Sequence, residues 1–77
     1  MKQVYCVYDR VAGVFYPPVT AENKEVAIRS FNNAMETNPF SKDMALYYLG
    51  TYNDDTDGVI NSVKPEFVVN SPVKVGE

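Results

Sequence analysis

Acidic side chains are the residues of this chain with the most obvious potential for metal chemistry. The run NDDTDG fits positions 1, 3, 5 and 6 of a calcium-binding loop with Asn53, Asp55, Asp57 and Gly58. The twelfth position of that loop is Lys64, where a bidentate glutamate is needed, and no helical pattern flanks the run. We therefore predict a solvated hairpin turn over residues 53–58, with no metal.

Catalytic chemistry finds little support in the residue types. Cys6 is the single cysteine, so no intramolecular disulfide is possible and a reducing interior is the simplest setting. The chain has no histidine, the commonest general base. Asp54, Asp55 and Asp57 lie together on a turn instead of converging in a cleft, and no glycine-rich phosphate loop is present. We predict a protein that is not an enzyme and has no cofactor, with Cys6 as a small strand residue.

The six tyrosines pose the main functional question. All of them fall in or beside predicted strands: Tyr5, Tyr8, Tyr16, Tyr47, Tyr48 and Tyr52. One interpretation is that they fill the core and a dimer interface, with their hydroxyl groups at the rim. The other is a stacking platform for single-stranded nucleic acid, in which each base contributes roughly 1–3 kcal/mol and few charges are needed.

The charge of the chain limits the nucleic acids that it is expected to bind. The chain has seven Lys and Arg and ten Asp and Glu, so its net charge is −3. A dedicated binder of double-stranded DNA usually has a basic domain, so backbone-driven binding is disfavoured. The basic residues are dispersed in the sequence, and folding could gather a few of them on one face. As phosphate contacts we select Lys2, Arg10 and Lys42.

One helical segment, residues 20–38, organises the rest of the chain. Its apolar stripe at helical spacing consists of Ala27, Ile28, Phe31, Ala34 and Met35. Thr20 or Asn23 is expected to cap the start, and Pro39 stops the helix.

Short β-segments surround this helix. We predict strands at 4–8, 14–16, 45–52 and 59–63, with a short edge strand at 67–69 after the Lys64-Pro65 break. The order β-β-α-β-β predicts an α+β fold: a small antiparallel sheet of three to five strands covered on one face by a single helix. Residues 1–69 form one domain, and residues 70–77 form a flexible tail. The apolar runs are too short for a membrane span.

The strands are apolar on both faces, and one helix covers only one face of such a sheet. The other face then exposes tyrosines or meets a partner, which predicts a homodimer. On the third strand we assign Tyr47 and Leu49 to the helix-covered face, because Leu49 makes an apolar core with the helix. Tyr48 then faces outward beside Tyr8 or Tyr52.

Several short motifs in a fixed order carry a family resemblance. In chain order they are Tyr8-Asp9, Pro17-Pro18, the helical run AIRSF at 27–31, FSK at 40–42 and LGTYND at 49–54. In order and spacing they resemble the small nonstructural DNA-binding proteins of gokushovirus-type microviruses, which are tailless phages with single-stranded DNA genomes. The resemblance covers residues 4–58, most of the chain.

This resemblance implies a non-capsid protein that handles the viral single-stranded DNA in the host bacterial cytoplasm, during genome replication or packaging. The candidate nucleic-acid-binding residues come from the strand pattern and not from the resemblance: Lys2, Tyr8, Arg10, Tyr16, Lys42, Tyr48 and Tyr52. The acidic balance leaves an alternative of a different class. In that alternative the chain is an adaptor that binds a viral capsid protein or a host replication protein.

Overall fold

A computed structural model describes residues 1–72 and confirms the α+β fold. The elements are β1 Lys2–Asp9, β2 Val14–Phe15, β3 Val19–Ala21, α1 Lys24–Glu36, a 3₁₀ turn Ser41–Asp43, β4 Met44–Tyr52 and β5 Ile60–Asn70. The strands form one antiparallel sheet in the order β2-β1-β4-β5, and β3 also pairs with β1. No helix in this part of the chain is long and apolar enough to cross a membrane. Of the predicted tail, Asn70 ends β5, and residues 73–77 lie outside the described residues.

The helix begins at Lys24, later than the predicted segment 20–38, and ends at Glu36. Asn23 is the N-cap, and its Oδ1 accepts a hydrogen bond from the backbone N–H of Val26 at 2.9 Å. Thr20 is not a cap, because it lies in β3 opposite Val4 of β1. The Pro17-Pro18 pair keeps the chain extended after β2, so it pairs once more with β1 before the helix starts.

The core lies between α1 and one face of the sheet. The helix buries Ala27, Phe31 and Met35 against the sheet. From the sheet the same cluster includes Tyr5 of β1 and two residues of β4, Met44 and Leu46. The apolar stripe is therefore confirmed except at Ala34, which is exposed, and Ile28 packs at the margin of the cluster.

The predicted face assignment on β4 is wrong. Tyr48, assigned outward, packs at the margin of the core with its ring 5.4 Å from that of Tyr5. Tyr47, assigned to the helix, lies on the opposite face. The reason is that β4 starts one residue earlier, at Met44, and the buried Met44 and Leu46 set the alternation that continues to Tyr48. Leu49 falls at a register irregularity, so it does not extend this alternation.

Strand β5 is continuous where the sequence predicts a break. It crosses Lys64-Pro65 because these residues lie in an irregular stretch: Tyr48 pairs with Glu66, whereas Gly50 pairs with Ser62. An edge strand tolerates proline at such a bulge. Gly50 has φ +134°, and a Cβ at this position would lie 2.1 Å from the carbonyl oxygen of Asn61. The close approach of β4 and β5 therefore requires glycine here.

Candidate nucleic-acid interface

Four aromatic rings form a connected cluster on the sheet face opposite α1, and we call them the aromatic row. They are Phe15 of β2, Tyr8 of β1, Tyr47 of β4 and Phe67 of β5. The ring centroids are 4.5 Å apart for Tyr8 and Phe15, 5.8 Å for Tyr8 and Tyr47, and 5.6 Å for Phe15 and Tyr47. Phe67 continues the row at 5.9 Å from Tyr47. The row therefore crosses all four main strands of the sheet.

Strand register brings these rings together. Tyr8 lies opposite Phe15, and Tyr47 lies opposite Phe67, so each pair projects from the same face. Small residues share this face: Cys6 lies opposite Tyr47, and Ala45 lies opposite Tyr8. Both small residues are buried, and burial raises the pKa of the Cys6 thiol, which disfavours the reactive thiolate. Cys6 is thus a structural residue beneath the rings.

The rings at the two ends of the row are open to solvent. Phe15 is 50% exposed and Phe67 is 55% exposed, whereas Tyr8 and Tyr47 are half-buried. Large apolar rings held on a sheet with part of their surface exposed are the feature that stacking on nucleic-acid bases requires.

The same sheet face continues as an apolar groove toward the β4–β5 turn. It is lined by Val4, Pro18, Val19, Thr20, Tyr52 and Ile60. Tyr52 is half-buried there and lies opposite Lys2 in the register. This predicted site residue is therefore on the helix-free face but not in the aromatic row.

The predicted tyrosines end up in four different environments. Tyr8 belongs to the aromatic row, Tyr52 to the groove, and Tyr48 to the helix-covered side next to Tyr5. Tyr16 donates its hydroxyl hydrogen to Asp9 Oδ2 at 3.0 Å, and this bond raises the pKa of Tyr16. Its ring is 40% exposed, so its hydroxyl group is committed to the β1–β2 turn while part of its surface remains open.

The predicted cations are divided between two ends of the sheet. The backbone N–H of Arg10 donates to the carbonyl of Asp43 at 2.9 Å, which brings Arg10 close to the 3₁₀ turn that contains Lys42. Both side chains are exposed, at the end of the sheet where β1 pairs with β2. Lys2 lies at the other end and is paired with Glu22, and this bond raises the pKa of Lys2.

The carboxylate of Asp9 stabilises the turn between β1 and β2, which leads to Phe15. Asp9 accepts hydrogen bonds from the backbone N–H groups of Val11 at 2.9 Å and Ala12 at 3.0 Å, besides the Tyr16 hydroxyl. The bond from Ala12 is the main cause that lowers the pKa of Asp9. This pattern fixes the β1–β2 connection and hence the position of Phe15 beside Tyr8.

The acidic turn between β4 and β5 is tied to the start of the chain. The α-amino group of Met1 donates to Asp55 Oδ2 at 2.8 Å and lies 3.1 Å from Asp54 Oδ1, and this contact lowers the pKa of Asp54. Asn53 and Asp57 accept hydrogen bonds from backbone N–H groups within the turn. Within residues 1–72 no group of three or more His, Cys, Asp or Glu side chains could hold a metal ion.

Three members of the aromatic row were absent from the predicted site: Phe15, Tyr47 and Phe67. A usable signal existed for two of them. A hairpin between the first two predicted strands pairs Tyr8 with Phe15 or a neighbouring residue, and Phe67 lies in a predicted edge strand. Tyr47 required the correct start of β4, which depends on the burial of Met44.

These observations define a small α+β protein that presents an aromatic sheet face to solvent. A family model described as Phage ORF5 protein matches residues 2–73. The chain therefore belongs to this bacteriophage protein family, which agrees with the phage origin that the sequence motifs implied. No curated protein and no solved structure matches the chain.

Proposed function

We propose that this phage protein is a non-enzymatic, single-stranded DNA-binding accessory protein of a gokushovirus-type microvirus. It acts in genome replication or packaging in the host bacterial cytoplasm. The observation that carries the proposal is the aromatic row, in which two open phenylalanine rings flank a pair of tyrosines on the sheet face opposite the helix.

The mechanism is stacking of unpaired bases on ring faces. Each stacked base contributes roughly 1–3 kcal/mol, and because every base has a π-face the interaction tolerates any sequence. Duplex DNA keeps its bases stacked on one another, so this surface selects single strands. The corrected set of stacking residues is Phe15, Tyr47 and Phe67 together with Tyr8; Tyr48 no longer belongs to it.

Few phosphate contacts accompany the stacking. Arg10 and Lys42 lie at the β1–β2 end of the sheet and are the cations available to a strand that crosses the row. With a net charge of −3 and about two phosphate contacts, the logarithm of the affinity should fall with the logarithm of salt with a slope of about −1.4. Binding of this kind is only weakly dependent on salt.

A fluorescence-anisotropy titration with labelled oligo-dT at low salt tests the proposal. Phe67→Ala should weaken binding by roughly 1–3 kcal/mol, the contribution of one stacked base. Phe40→Ala is the matched control, because Phe40 is also exposed, at 62%, but lies next to the 3₁₀ turn outside the row. Absence of binding up to about 100 µM protein, the weak end of the range of typical nonspecific dissociation constants, would reject the function.

A homodimer is part of the proposal. Val59, Ile60 and Val63 leave apolar surface exposed on and beside the edge strand β5, away from the rings of the aromatic row. Burying it against a second copy would recover roughly 25 cal/mol per Å² of apolar area.

The acidic charge supports one alternative, an adaptor that binds a capsid protein or a host replication protein through the same exposed apolar surface. A pull-down from infected cells separates the two functions. Recovery of a phage or host protein with no bound DNA favours the adaptor, whereas recovery of nucleic acid alone rejects it.

A further inference from the structure

The rings of the aromatic row are not equivalent, and their orientations divide the row in two. The plane of Tyr47 stands at 85° to that of Phe15 and at 79° to that of Phe67. Tyr47 lies between the two phenylalanines, because its strand β4 lies between β2 and β5 in the sheet. The two phenylalanines are therefore separate positions for a stacked base.

Only the two outer rings have enough open surface to accept a base. Phe15 and Phe67 are at least half exposed, whereas Tyr8 and Tyr47 are half-buried. Tyr8 is further occupied by Phe15, whose ring lies 4.5 Å from it with a tilt of 41°. The row thus offers two stacking positions, one on β2 and one on β5.

The separation of these positions sets the length of strand that joins them. Since each phenylalanine centroid lies within 5.9 Å of Tyr47, the two are at most about 12 Å apart. A stacked strand rises about 3.4 Å per nucleotide, and an unstacked strand reaches roughly twice that. Two nucleotide steps of an extended strand therefore span the distance between Phe15 and Phe67.

We propose that one protomer binds three nucleotides of single-stranded DNA, with the first and third bases stacked on Phe15 and Phe67 on opposite sides of Tyr47. The proposal rests on the proposed function and adds to it the number of bases, their positions and the path of the strand. The DNA crosses the β-strands from β2 to β5, with Arg10 and Lys42 near the phosphates at the β2 end.

A length series of unlabelled oligo-dT tests the footprint, followed by chemical-shift titration of the ¹⁵N-labelled protein. Affinity should rise steeply from dT1 to dT3. Beyond dT3 the affinity should increase only with the number of places on the oligomer where three consecutive nucleotides can bind. There is one such place on dT3 and there are about five on dT7, so the affinity should increase about fivefold between them. dT4 and dT5 are too short to occupy two protomers of the proposed homodimer, so an affinity for them well above this count overturns the three-nucleotide footprint but leaves the proposed function intact. No shift with any oligomer overturns the proposed function itself.

Two variants test the two positions. Phe15→Ala and Phe67→Ala should each lower the affinity for dT3 by about 5- to 150-fold, because each removes one stacked base. Each variant should keep its affinity for dT1 within about twofold, since the other position remains. Phe40→Ala should bind every length like the parent protein. Far-UV circular dichroism and the ¹⁵N spectrum confirm that each variant is folded. If only one of the two variants loses affinity for dT3, the two-position arrangement is wrong.

Discussion

Gly50 and Asp9 are single residues on which the geometry of the aromatic face depends. Gly50 allows β4 and β5 to approach at the bulge beyond which Tyr47 meets Phe67. Asp9 fixes the turn that leads to Phe15. Neither residue has to touch DNA for its replacement to disturb the row.

Replacing Gly50 by alanine should strongly destabilise the protein. The added Cβ would meet the backbone of Asn61 at 2.1 Å, and backbone atoms cannot move aside as a side chain can. With the strained φ, we expect a loss of about 3 kcal/mol or more, measured by urea denaturation. Gly13→Ala is the control: its φ is also positive, at +70°, but nothing lies within 4 Å, so it should cost about 1–2 kcal/mol. Equal losses would show that the contact with Asn61 is unimportant.

Asp9 should make stability depend on pH in the acid range. Its pKa in the folded state lies below the unfolded value, so its contribution is complete above about pH 4 and is lost as the pH falls through the folded pKa. Asp9→Asn should therefore lower Tm at pH 7, and the difference from the parent protein should shrink at acid pH. Scanning calorimetry at several pH values measures this.

The matched control for Asp9 is Glu36→Gln, which removes the same charge from an exposed position at the end of α1. Its effect on Tm should be small at pH 7. A difference between Asp9→Asn and the parent protein that grows toward acid pH would contradict the assigned hydrogen bonds.

At the scale of elements, the start of α1 depends on a local cap. Asn23→Ala should lower the free energy of unfolding by about 1 kcal/mol, because the N–H of Val26 loses its acceptor. Asn33→Ala, at an exposed position within the same helix, should be neutral or slightly stabilising, since alanine is the better helix former. Urea denaturation compares the two variants. A similar loss in both would mean that the cap contributes nothing.

Residue patterns in the sequence predict some of the helices and strands of this fold and not others. The helical period of α1, the apolar β-forming residues of β1 and the hairpin turn at 53–58 were enough to predict the fold class and most strands. Strand β3 was missed, because residues 19–21 become a strand only through the neighbouring edge of β1. The faces of β4 were inverted because the predicted strand began at Ala45 and left out Met44, the buried residue that sets its alternation. Contacts between residues distant in the sequence therefore determine both the formation of β3 and the orientation of β4.

The candidate site was less predictable than the fold. Tyr8 was selected as a candidate without a decision on which face of β1 is open, and Phe15 and Phe67, which join it in the aromatic row, were not selected. Their roles depend on cross-strand register, which a shift of one residue would reverse. The proximity of Arg10 to the turn with Lys42 likewise comes from the β1–β4 pairing.

At the scale of the whole molecule, the protein is a thin two-layer body with extents of 47 × 23 × 16 Å. One helix covers one face of the sheet, and within residues 1–72 no second layer packs on the opposite face. Such a thin body has a small core, and association with a second copy is a direct way to enlarge it.

Sedimentation over a dilution series tests the proposed homodimer. The apparent mass should rise toward about twice 8.6 kDa as the protein concentration increases. Because the contact surface is expected to be apolar, the dimer should persist at high salt. An 8.6 kDa species alone at the highest concentration would reject the dimer, while leaving DNA binding by a single protomer open to its own titration.

The buried thiol beneath the aromatic row provides a way to measure how often the sheet opens. Cys6 is 1% exposed and is the one thiol of the chain, so an alkylating reagent reaches it only when β1 separates from its neighbours. When reclosing is fast relative to alkylation, the labelling rate reports the equilibrium population of the opened sheet. A ligand that binds to the aromatic row stabilises the closed sheet and should slow this labelling. The decrease in labelling rate with ligand concentration then gives the affinity of the ligand, and the DNA needs no dye.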